Sequence, residues 1–86
     1  MHEMSLAHEV CRITEAHVGA DQLTHVVEVG VEVGDHAGVE VGNLEFCLEV
    51  LLSSPPFGRG RPAITRLDGT DLRVSYVEID DGSPDD

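Results

Sequence analysis

The sequence predicts an α+β fold, in which two helices pack on one face of a small three-stranded, mainly antiparallel sheet. Two segments repeat apolar residues every three or four positions, as amphipathic helices do. Three other segments are rich in β-branched residues, as strands are. These segments follow one another as helix, strand, helix, strand, strand within 86 residues. A chain of this length forms one domain with a thin core, which suits two packed layers.

The first helix is predicted over residues 4–19, and Gly19 is the expected stop because glycine readily adopts the left-handed conformation that ends helices. Its apolar stripe has two neighbouring rows. One row is Leu6, Val10, Ile13 and His17, and the other is Ala7, Cys11, Thr14 and Val18. His17 is therefore expected to be a core histidine rather than a metal ligand, whereas His8 falls off the stripe and should face solvent.

A strand is predicted over residues 23–34, because valine recurs at every second position there. His25, Val27, Val29, Val31 and Val33 are expected on one face, and Val26, Glu28, Gly30 and Glu32 on the other. Residues 35–38 form a loop that contains His36. His36 could be a secondary metal ligand beside Asp35, although an incidental loop histidine is the better interpretation.

The second helix is predicted over residues 39–52, and the Ser-Ser-Pro-Pro sequence at 53–56 ends it. Its apolar stripe comprises Leu44, Cys47, Leu48 and Leu51, with Val41 and Phe46 at the margins. Its acidic residues, Glu40, Glu45 and Glu49, lie largely on the other face. A flexible basic loop with Arg59 and Arg61 follows the helix.

Two strands are predicted at the end of the domain, over residues 62–67 and 72–79. The Asp68-Gly69 pair between them is a strong hairpin signal, so the two strands are expected to be antiparallel neighbours. Residues 1–79 are thus expected to form a single α+β domain. Residues 80–86 carry four aspartates and are expected to be an acidic disordered tail.

The charge balance limits the possible partners. Seventeen acidic residues stand against five basic ones, which gives a formal net charge of −12. Nucleic acid and anionic membrane surfaces attract basic proteins, so neither is expected as a partner. The charge favours a metal ion or a basic protein patch, or serves solubility alone.

No segment resembles a signal peptide or a membrane span, so a cytoplasmic location is expected. Cys11 and Cys47 are 36 positions apart and form no CxxC pair, so no zinc site is expected, and each is expected to be a small buried hydrophobe. Ser5 lies near His2 and His8 but has no accompanying nucleophile motif, and the glycines near Arg59 lack the lysine of a phosphate-binding loop. The chain is not expected to be an enzyme.

The first three residues contain the one candidate metal site. The Met1 amine, the His2 amide and the His2 imidazole can close fused chelate rings on one ion, and such nitrogen donors suit Ni(II) or Cu(II). Taken alone this signal is weak, because an incidental histidine at a disordered amino terminus would give the same Met-His-Glu sequence.

Four segments together resemble the HypA/HybF family, nickel chaperones that act in the maturation of nickel–iron hydrogenases. They are residues 1–7, which begin Met-His-Glu, the valine-rich strand 27–34, the helix 38–51 and the last strand 71–79. The resemblance covers roughly residues 1–52 and 62–79. It departs from the family at residues 67–70, where members carry a zinc lobe held by two CxxC pairs.

The resemblance implies a Ni(II) metallochaperone without its zinc lobe. Nickel would be held by the Met1 amine, the His2 amide and imidazole, and the Glu3 amide, with a possible contact from the Glu3 carboxylate. The implied partners are a hydrogenase large-subunit precursor and a maturation GTPase. The alternative is a metal-free adaptor of the same machinery. Its strand edge and the loop with Arg59 and Arg61 would then carry recognition, because paired arginines can bind carboxylates of a partner.

Overall fold

A computed structural model describes residues 2–80 of the chain. The helices and strands occur in the predicted order, and the α+β class is confirmed. The elements are α1 (Glu3–Val18), a short 3₁₀ helix (Ala20–His25), β1 (Val26–Gly34), α2 (Val41–Leu52), β2 (Pro62–Leu67) and β3 (Leu72–Ile79). Among these described residues, no helix is long and apolar enough to cross a membrane.

The sheet is mixed, with β1 at its centre. Its strand order is β2-β1-β3, in which β2 runs parallel to β1 and β3 runs antiparallel to it. The predicted hairpin of β2 and β3 is therefore wrong, because the two strands lie on opposite sides of β1. The Asp-Gly signal correctly located a reversal of the chain, but that reversal carries the chain across β1 rather than back along β2.

Residues 68–71 make this crossing at the carboxyl end of β1. The N–H of Gly34 donates to the carbonyl of Asp71 and the N–H of Asp35 to that of Leu67, each at 2.7 Å. A Cβ atom on Gly34 would lie 2.4 Å from the carbonyl oxygen of Gly69, far inside contact distance. The absence of a side chain at Gly34 is thus what lets the crossing segment pass so close to β1.

The helices form one layer against the sheet, where α1 contacts α2 and β3, and α2 contacts β2. The buried apolar residues that fill the space between the layers are Ala7, Val10, Leu23, Val26, Val29, Val31, Val33, Leu44, Cys47, Leu48, Leu52 and Phe57. Thr14 is also buried, and its hydroxyl donates to the Val10 carbonyl at 2.8 Å. The core is therefore almost wholly aliphatic.

Several predicted burials differ in detail. β1 starts at Val26, and a register shift between Val26 and Glu28 makes Val27 the extra residue. Val26 therefore shares the buried face with Val29, and Val27 is only half-buried. In α2, Leu52 is fully buried and Leu51 only half-buried.

His17 is exposed rather than a core residue. The buried line of α1 runs through Glu3, Ala7, Val10 and Thr14, and so turns His17 and Ile13 toward the margin at β3. Asp80, the first residue of the predicted tail, donates its N–H to the His25 carbonyl at 2.8 Å and accepts from Arg59. The remainder of that tail lies outside the described residues.

Candidate metal centre at the amino terminus

His2 is the N-cap residue of α1 and is exposed to solvent. Its backbone is not helical (φ −103°, ψ 75°), yet its carbonyl already accepts a hydrogen bond from the N–H of Leu6 at 3.0 Å. The N–H groups at the start of a helix have no partner within the helix. The first backbone nitrogens can therefore serve another ligand without breaking the helix. Met1, whose amine is the first predicted donor, lies outside the described residues.

Glu3 is buried, with 6% of its surface exposed, and its side chain turns away from solvent toward the start of α2. One carboxylate oxygen accepts from the backbone N–H of Glu40 at 3.0 Å, and the other accepts from the side-chain amide of Asn43 at 3.3 Å. The hydrogen bond from the Glu40 N–H is the main reason that the pKa of Glu3 is lowered, and the Glu3 amide and Asn43 act in the same direction.

The local sequence explains why α2 needs this carboxylate. Glu40 is the N-cap of α2 but makes no capping hydrogen bond with its own side chain. A carboxylate near the start of a helix satisfies free N–H groups and interacts favourably with the positive end of the helix dipole. Glu3 therefore caps α2 from α1, and the two helices start at the same place. The Glu3 carboxylate is thus held by groups of this chain and is not directed toward His2.

The other side chains with ligand chemistry do not gather into a site. No three His, Cys, Asp or Glu side chains between residues 2 and 80 are grouped so that they could hold a metal ion. His36 faces Asp68 at 3.7 Å rather than Asp35, which is bound to Arg66 at 3.0 Å. The His25 ring lies 3.2 Å from the carbonyl oxygen of Asp80. His8 is exposed, as predicted.

The cysteines are poor candidates as ligands. Both are free thiols, Cys47 buried and Cys11 half-buried. Burial raises the pKa of Cys11 to about 11, and only the deprotonated thiolate binds metals well. Neither thiol of the described residues is therefore suited to bind a metal as it stands.

The cap itself was not predicted from the sequence. On the sequence alone, the Glu3 carboxylate was assigned a possible metal contact. In the structure that carboxylate accepts hydrogen bonds from Glu40 and Asn43, which lie 37 and 40 positions later in the sequence. No local motif signals such a pairing, because a capping residue is ordinarily sought just before the helix that it caps. The one available signal was negative: the side chain of Glu40 is a weak N-cap, so α2 needed a cap from elsewhere.

Comparison with known proteins places the chain in a family. A family model described as "Hydrogenase/urease nickel incorporation, metallochaperone, hypA" matches residues 1–70. A protein of Azoarcus sp. (strain BH72), named "Hydrogenase maturation factor HypA", is 46% identical over 52 residues, which are 60% of this chain and 46% of that protein.

Two further relatives carry the same name. One, from Azotobacter chroococcum mcd 1, is 35% identical over 80% of this chain and 61% of its own length. The other, from Albidiferax ferrireducens, is 34% identical over 91% of this chain and 69% of its own length. The chain thus spans about half to three fifths of the length of the first two relatives. The family is described as one of metallochaperones, which carry a metal rather than catalyse a reaction. On the match to residues 1–70, the chain belongs to the HypA family of hydrogenase and urease nickel-incorporation proteins.

Proposed function

We propose that the chain binds one Ni(II) ion through Met1, His2 and Glu3 and delivers it during maturation of a nickel–iron hydrogenase. The donors are the Met1 amine, the His2 amide and imidazole, and the Glu3 amide. The recipient is a hydrogenase large-subunit precursor, and a maturation GTPase acts with the chain. The whole process takes place in the cytoplasm.

The observation that supports this site most directly is the contrast between His2 and Glu3. His2 is exposed and free to bind an ion, whereas the adjacent Glu3 is buried and held by two hydrogen bonds. An anchored Glu3 restricts the backbone on the carboxyl side of His2, so less conformational freedom is lost when donors converge on a metal. The exposed donors can also be approached directly by a recipient protein.

Nickel binding should be tested by calorimetric titration of untagged protein that begins with Met1. We expect one Ni(II) per chain with a micromolar dissociation constant, which corresponds to about −8 kcal/mol. His2→Ala should abolish binding, and so should one residue added before Met1, because the amine is then displaced. His8→Ala is the matched control, since His8 is another exposed histidine and lies in the α1 helix that His2 precedes.

Acid should release the metal, because an amine, an amide and an imidazole must each lose a proton before they coordinate nickel. An unchanged affinity in His2→Ala, or in the extended chain, would show that nickel binds elsewhere. The Irving–Williams order predicts that the same nitrogen donors hold Cu(II) more tightly than Ni(II). Delivery of nickel in the cell then depends on which metal is supplied.

The metal-free adaptor is the weaker alternative, because the arginines that it requires already contact carboxylates of this chain. Arg59 donates to Asp80 at 2.9 Å, and Arg61 lies 4.0 Å from Glu28. A partner carboxylate would have to displace these contacts. The adaptor predicts that partner binding is unaffected by a chelator and by His2→Ala. Loss of partner binding in His2→Ala would count against it.

A further inference from the structure

The outward face of α2 carries an apolar pair that the fold does not use. Phe46 is 62% exposed and Val50 is 41% exposed, and the two are four positions apart, so they are neighbours on the helix surface. Single exposed apolar residues are common on soluble proteins, whereas contiguous exposed apolar surface marks a binding site. Phenylalanine is also enriched where proteins bind one another.

A row of acidic residues runs beside this pair. Glu45 and Glu49 are exposed, four positions apart, and each directly precedes one of the two apolar residues in the sequence. Neither is ion-paired with any residue of the described range 2–80, whereas all five arginines have carboxylate partners. We call these four residues, Phe46, Val50, Glu45 and Glu49, the α2 surface.

The α2 surface lies close to the proposed nickel donors. Asn43, one turn before Phe46 and on the same side of the helix, donates to the carboxylate of Glu3. A protein bound to Phe46 and Val50 would therefore sit within about two helical turns of the residue that follows His2. Transfer of a metal between proteins requires that the recipient reach the donors, so the position suits the recipient of the ion.

From these observations we infer that the α2 surface docks the nickel recipient, which presents an apolar side chain flanked by lysine or arginine. This inference rests on the proposed function for the identity of the recipient. The apolar pair would supply the desolvated contact, and the acidic row would complement the basic flanks. A second copy of the chain is a poor occupant, because it would bring another acidic row against this one in a protein of net charge −12.

The test is the affinity of the full chain for a purified, metal-free hydrogenase large-subunit precursor. We expect Phe46→Ala to weaken binding by about tenfold or more, and Glu49→Lys to weaken it and reduce its dependence on salt. Leu67→Ala is the matched control, because Leu67 is as exposed as Val50 but lies on β2. It should bind within about twofold of the parent chain.

Nickel titration of the same variants separates this inference from the proposed function. Phe46→Ala should bind nickel as the parent does, whereas His2→Ala should lose nickel but keep the precursor. If the parent fails to bind nickel and Phe46→Ala still weakens binding of the precursor, the docking surface is supported and the nickel site is refuted. Equal effects of Phe46→Ala and Leu67→Ala would overturn the docking surface. So would a failure of the parent chain to bind the precursor, or a dimer that Phe46→Ala dissociates.

Discussion

The carboxylate of Glu3 accepts a hydrogen bond from the backbone N–H of Glu40 at 3.0 Å, and this contact joins the first turns of the two helices. The residues are 37 positions apart, so the contact is part of the tertiary structure rather than of either helix alone. Because Glu3 directly follows His2, the same contact fixes the chain beside the proposed nickel donors. Glu3 is therefore predicted to contribute both to stability and to the ordering of those donors.

Replacing Glu3 by glutamine should lower the thermal unfolding midpoint. The glutamine amide keeps one acceptor, but its NH₂ group would face donors, and the negative charge at the start of α2 would be lost. The matched control is Glu9→Gln, which removes an exposed carboxylate that contacts Arg12 on the same helix. Circular dichroism during heating measures both. Equal midpoints for the two variants would mean that the α2 cap adds nothing to stability.

The same carboxylate should make stability depend on pH in the acid range. Its pKa in the folded chain is lowered from the ordinary value of 4.5, chiefly by the hydrogen bond from the Glu40 N–H. The folded state therefore binds this proton less readily than the unfolded state. The stabilisation is fully present above about pH 4.5 and is lost as the pH falls through the lower folded value.

The measurement is the difference in unfolding midpoint between the parent chain and Glu3→Gln, taken at intervals from pH 7 to pH 3. This difference removes the effect of the other acidic residues, whose mutual repulsion also declines in acid. We expect it to be constant near neutrality and to shrink below about pH 4.5. A difference that stays constant down to pH 3 would contradict the lowered pKa.

The sequence predicted the elements of this fold better than their pairing. Helices and strands follow from the spacing of apolar residues along the chain, and those spacings are local. Which strands become neighbours is decided by contacts between distant segments. Asp68-Gly69 marks a reversal of the chain. The strands on either side of it do not pair with each other, because β1 lies between them and is hydrogen-bonded to both β2 and β3.

The candidate site shows the same division. His2 could be singled out because its position after Met1 is a property of the sequence itself. The anchoring of Glu3 could not, because it depends on how α2 meets α1. The exposure of Phe46 could not be predicted either. Phe46 lies at the margin of the apolar stripe, so its burial depends on the exact rotation of α2 against the sheet.

Gly34→Ala should destabilise the protein by roughly 1–3 kcal/mol, a range typical of overpacking. The new Cβ would lie 2.4 Å from the carbonyl oxygen of Gly69, and the backbone of the crossing segment would have to move. Gly42→Ala is the control, since its Cβ would meet only a side-chain oxygen of Glu40 at 3.6 Å. Chemical denaturation measures both. Similar free energies of unfolding for the two variants would mean that the crossing does not require glycine.

Leu48→Ala and Phe46→Ala should differ in their effect on stability, although both remove a large apolar side chain from α2. Leu48 is fully buried, so its truncation leaves a cavity and should cost about 2–5 kcal/mol of unfolding free energy. Phe46 projects into solvent, so its truncation should change stability by no more than about 0.5 kcal/mol. Urea denaturation of the two variants compares them directly. A Phe46→Ala chain destabilised as much as Leu48→Ala would place Phe46 in the core, and its exposure could then no longer support a docking role.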